Sequence, residues 1–99
     1  MSIRMVRAKV KADKVAELEK AAGEMFAAIE AAGPPGVRYA SCKLPDGETF
    51  VILLELEDDE DNPLAAVPAF RDFQDNIRNW IAEPPVAEPL TPVGSYRLF

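Results

Sequence analysis

The chain has 99 residues, nearly half of them apolar, with 11 Lys and Arg against 17 Asp and Glu for a net charge of −6. That size fits one domain spanning residues 1–99, and the acidic balance argues against nucleic acid or an anionic membrane surface as partner, since both recruit basic patches. There is no histidine and only one cysteine, Cys42, so neither an imidazole-bound metal or haem nor an intrachain disulfide is expected.

Residues 3–10, IRMVRAKV, alternate as a strand, with Val6, Ala8 and Val10 on one face and Ile3, Met5, Arg7 and Lys9 on the other. Asp13 is a candidate cap for the helix that follows. There Val15, Leu18, Ala22, Met25, Phe26 and Ile29 recur at three- and four-residue spacing. Gly33 supplies a left-handed end to that helix, and Pro34 and Pro35 block its continuation. Residues 37–44 and 49–57 alternate again around Pro45-Asp46-Gly47, the pattern of a hairpin. A second helix is expected from about Leu64 or Pro68 to Ile81, with Phe70, Phe73, Ile77, Trp80 and Ile81 on one face. The proline-rich stretch 84–92 reads as an ordered connection, and VGSYRLF, 93–99, as the last strand.

The order strand, helix, strand, strand, helix, strand predicts an α+β fold of the ferredoxin-like βαββαβ type with an antiparallel sheet. The face expected under the helices carries Val6, Ala8, Val10, Ala40, Cys42, Leu44, Phe50, Ile52, Leu54, Leu56, Tyr96 and Leu98. The opposite face carries Ile3, Met5, Val37, Tyr39, Val51, Leu53, Val93 and Phe99, too apolar for a sheet face open to water. A homodimer pairing those faces is therefore expected, with Arg7, Glu55 and Arg97 available for charge pairs. No apolar run reaches membrane-spanning length. The charged N-terminal stretch does not read as a signal peptide, so a cytoplasmic location is the default expectation.

Phosphate-binding glycine loops and nucleophile elbows are absent. The best candidate ligand-binding residues are Trp80, Phe73, Asn76 and Tyr96. The two rings from the second helix would floor an apolar pocket, while Asn76 or Tyr96 would hold an oxygen of a small aromatic ligand. Core packing is the competing role for the rings, and solvation for Asn76. Cys42 reads as a small strand residue without an activating neighbour. The acidic run Glu55, Glu57, Asp58, Asp59, Glu60 and Asp61 lacks the spacing of a calcium loop.

FRDFQDNIRNWIAEPP, 70–85, followed by PLTPVGSYRLF, 89–99, resembles the end of antibiotic biosynthesis monooxygenase-like proteins of the dimeric α/β barrel superfamily. The resemblance implies two sheets packed face to face, with a pocket between helices and sheet in each subunit. Some members oxygenate polycyclic aromatic molecules without metal or cofactor, using an Asn, a Trp and an Arg near the substrate. Trp80 matches the Trp. The first strand has no Asn, and the chain lacks the His of haem-degrading relatives. The resemblance thus implies a cofactor-independent monooxygenase acting on a small aromatic molecule. The alternative is a non-enzymatic ligand-binding or interaction module, since fold alone does not fix function.

Overall fold

The computed structural model describes residues 1–98. Four strands, β1 (Ser2–Lys9), β2 (Val37–Lys43), β3 (Thr49–Leu56) and β4 (Val86–Leu90), form one antiparallel sheet in the order β2-β3-β1-β4. Helices α1 (Val15–Ala32) and α2 (Pro68–Ile77) complete the βαββαβ order. β1 and β2 flank β3 and run parallel to one another, so α1 is their crossover. That is the split arrangement the sequence predicts.

Local chemistry accounts for most element ends. Gly33 closes α1 at φ 58°, its N–H donating to the Ile29 carbonyl at 2.9 Å. In the hairpin turn Gly47 takes φ 76°, and Asp46 accepts hydrogen bonds from the Glu48 and Thr49 N–H groups and the Thr49 hydroxyl. Asn62 Oδ1 accepts from Leu64 N–H at 3.0 Å and starts a short 3-10 turn, Pro63–Ala66. α2 then begins with Pro68 at its first position, where the missing N–H has no helical partner to lose. Asp13 is not a cap: it lies in a 3-10 turn, Ala12–Lys14, that winds directly into α1. α2 stops at Ile77, short of the expected Ile81. Residues 80–82 leave the helix to pair with the end of β1, Trp80 C=O accepting from Lys11 N–H at 2.8 Å and Ala82 N–H donating to Lys9 C=O at 2.8 Å.

Two expectations for the sheet are corrected. The last strand is not 93–99 but 86–90, within the proline-rich connection. Pro89 is accommodated because β4 is an edge strand, where an absent N–H need not break a second ladder. Residues 93–98 form no strand; Val93, Tyr96 and Leu98 are exposed, and Phe99 lies outside the described residues. The faces of β2 are also reversed. Tyr39 stands opposite Leu54 and Val37 opposite Leu56, on the helix side, while Ala40 and Cys42 join the helix-free face and Leu44 is exposed. The physical reason is the Tyr39 ring, which stacks on Phe26 of α1 at 5.2 Å and meets the edge of Phe70 of α2 at 5.9 Å.

The core lies between the helices and the sheet, around Val10, Leu18, Met25, Phe50 and Phe73. On the helix-free face, Met5, Val51 and Leu53 stay half-exposed. Ile3 and Glu55 are cross-strand neighbours there and both are buried, yet Glu55 Oε2 has no hydrogen-bond partner. No helix among the described residues is long and apolar enough to cross a membrane.

Candidate functional site

Between sheet and helices lies a cavity of about 190 Å³. β1 contributes Val6 and Ala8, β3 contributes Phe50, Ile52 and Leu54, and β2 contributes Tyr39 and Ser41. Leu18, Ala22 and Met25 of α1 and Phe70, Phe73, Gln74 and Ile77 of α2 close it from above. Strand alternation explains the wall: residues two apart share a face, so Tyr39 and Ser41 follow one another along β2, facing Leu54 and Ile52. Ser41, Gln74 and Pro85 are exposed and mark the mouth.

The space exists because several wall positions are small. Ala8, Ala22 and Ser41 stand where longer side chains would reach inward. Of the 17 residues lining it, none carries a charge; the side-chain polar groups are the Tyr39 and Ser41 hydroxyls and the Gln74 amide. Burial pushes the Tyr39 phenol up to about 12, so at neutral pH it holds its proton and acts as a donor. Among the described residues neither a general base nor a cation faces the cavity. Among the described residues no group of three or more His, Cys, Asp or Glu is placed to hold a metal ion.

The residues singled out from the sequence are dispersed. Phe73 is buried and lines the cavity. Trp80 packs edge-on against Phe73, with ring centroids 6.0 Å apart, and so backs the wall without lining it. Asn76 is exposed on α2, off the cavity. Tyr96 is 82% exposed, with the Arg97 guanidinium 5.0 Å from its ring centre, rather than under the helices. The polar groups sequence reasoning missed are Tyr39, Ser41 and Gln74. Counting the hairpin register back from its turn, where Leu44 N–H donates to the Thr49 carbonyl, would have placed Tyr39 beside Leu54.

This architecture defines an α+β sandwich of ferredoxin-like type, here with a pocket beneath its helices, and solved structures share the fold. One is a Nitrosomonas europaea protein provisionally named an antibiotic biosynthesis monooxygenase, with TM-score 0.76 and 21% identity, covering 95% of this chain and 100% of its own. Another of that provisional name, from Caulobacter crescentus, has TM-score 0.74 and 24% identity over 94% of this chain and 90% of its own. A variant of a cofactor-independent oxygenase from Streptomyces nogalater has TM-score 0.69 and 18% identity over 97% and 96%. The sequence matches no protein-family model and no curated protein. The fold is therefore shared with antibiotic biosynthesis monooxygenase-like proteins.

Proposed function

We propose that this protein binds a small, flat, largely apolar organic molecule in the cavity beneath α1 and α2, and that the chemistry it supports is oxygenation of that molecule without a cofactor. The observation that carries the binding is the uncharged apolar wall. Transfer of apolar surface out of water drives binding, and an ionised ligand would lose its hydration without gaining a counter-charge. An engineered apolar cavity of ~150 Å³ accepts benzene, so about 190 Å³ suits one or two rings rather than a larger polycycle. The reaction class comes from the shared fold, one of whose members is a cofactor-independent oxygenase. In such a reaction the substrate loses a proton, passes an electron to dioxygen and recombines with it; a CH2 group and O2 become a carbonyl and water.

A second reading, binding without chemistry, is favoured by one observation: among the described residues the wall offers no base to take the proton. Oxygen uptake with a panel of one- and two-ring phenols and enols separates the two. Saturable, protein-dependent uptake in the presence of a chelator supports oxygenation. Quenching of Trp80 fluorescence with no uptake leaves binding alone, and the absence of both responses overturns the proposal.

We also infer that a second copy of the chain covers the helix-free face. Met5, Val51 and Leu53 form its apolar centre. The buried Glu55 carboxylate lacks a donor, while the exposed Arg38 across the ladder and Arg7 on the same face make no ion pair among the described residues. A two-fold contact would repeat each Glu–Arg pairing twice.

A further inference from the structure

The three neutral polar groups on the wall make different demands of a ligand. Ser41 and Gln74 sit at the exposed mouth, where water satisfies them. Tyr39 is half-buried, wedged between Phe26 and Phe70 so that its ring has little freedom to turn away. Its hydroxyl enters no hydrogen bond with any described residue. The one buried side-chain oxygen without a partner among the described residues is Glu55 Oε2, so the Tyr39 hydroxyl stays open to solvent and free to donate to a ligand.

Resting on the cavity-binding reading, we infer that Tyr39 is the oxygen anchor of this site, and that the ligand is a neutral one- or two-ring molecule bearing a hydroxyl or carbonyl oxygen at its β2 end. Tyr39 O–H donates to that oxygen, and Ser41, the next residue on the same face of β2, lies nearer the mouth to take a second contact. The rings then lie over Ile52 and Leu54 and beneath Phe70 and Phe73. Because Tyr39 keeps its proton well above neutral pH, it serves as donor throughout the physiological range and never as an anion repelling the ligand oxygen. In an oxygenation the same donor would stabilise negative charge growing on the substrate oxygen as its proton leaves, without itself transferring a proton.

The test uses a matched pair of probes, naphthalene and 1-naphthol, titrated against the wild type, Tyr39→Phe and Ser41→Ala at pH 7. Tyr39→Phe keeps the ring and its two aromatic contacts. It is expected to weaken 1-naphthol about three- to tenfold, the range of one hydrogen bond, and to leave naphthalene within about twofold. Ser41→Ala should weaken 1-naphthol less, because water competes at the mouth. If Tyr39→Phe weakens both probes equally, or neither, the anchor is wrong while the cavity reading survives. If the wild type binds neither probe, both fall. Thermal unfolding of Tyr39→Phe checks that its fold is intact. Should that variant not fold, 1-naphthol binding no tighter than naphthalene in the wild type, and unmoved by Ser41→Ala, overturns the anchor.

Discussion

Replacing Ala22 by Leu should make the protein more stable and destroy its binding site. Ala22 is half-buried on α1 and lines the cavity opposite the sheet, so the three added carbons enter existing space instead of displacing neighbours. Each buried carbon contributes about 0.8 kcal/mol, or about 2.4 kcal/mol for three. Freezing the leucine rotamer costs about 0.5–1 kcal/mol, leaving about 1.5 kcal/mol. Leucine follows alanine closely in helix propensity, so the backbone adds little penalty. In a domain of this size that gain raises Tm by roughly 6–12 °C. Calorimetry or circular dichroism measures the shift, and titration with 1-naphthol measures the loss of binding. A fall in Tm would refute the reasoning, because it would mean that the space above Ile52 and Leu54 is not available to a side chain. A rise in Tm with binding unchanged would show that the ligand sits elsewhere.

Leu53→Glu tests the helix-free face. It places a charge between Met5 and Ala40 in register, without touching the cavity. Sedimentation equilibrium should show wild-type dimer and mutant monomer, and a monomeric wild type at high micromolar concentration would end the dimer reading. Asp46 governs acid behaviour in the hairpin turn: its bond from the Thr49 hydroxyl, then those from the Glu48 and Thr49 N–H groups, hold its carboxyl at about 2. Because the folded value lies below the unfolded one, the contribution is full above about pH 4 and disappears as pH falls through about 2. Asp46→Ala should therefore unfold at a lower temperature than wild type at pH 6, and the gap should close between pH 4 and 2. A gap independent of pH would contradict this account.

The parts of the fold that are legible in the sequence are those where one side carries an unbroken row of apolar side chains. In β3, Phe50, Ile52, Leu54 and Leu56 fix the helix face, and in α1 the stripe through Leu18 and Met25 fixes the buried side. β2 was misread because its two sets, Val37-Tyr39-Ser41 and Arg38-Ala40-Cys42, differ little in apolar character. A strand without a strong alternation takes its facing from its partner's register. β4 was hidden by Pro89, which argues against a central strand but not against an edge. The site inherited both errors. Helix spacing finds Phe73, whereas Tyr39 is expected on the face it does not occupy and Ser41 is not singled out. Tyr96 was placed in a strand that does not form.

The cavity bears on function through its energetic burden. At ~24 cal/mol per Å³, an empty closed space of this volume represents roughly 4–5 kcal/mol. Exposure of Ser41, Gln74 and Pro85 at the mouth lets water in and lowers that figure, yet a small domain has only about 5–15 kcal/mol of total stability. Ala8, Ala22 and Ser41 all border the space, and a larger apolar residue at any of them would recover part of the loss, as Ala22→Leu is expected to show. Small residues on three different elements around one uncharged hollow fit a site that is filled in use. Occupancy offsets the burden directly, since a ligand at a hundred times its dissociation constant adds about 2.7 kcal/mol to the folded state. The proposed occupant, a small uncharged ring system carrying one oxygen, is consistent with that volume, with the neutral wall and with a Tyr39 hydroxyl that keeps its proton.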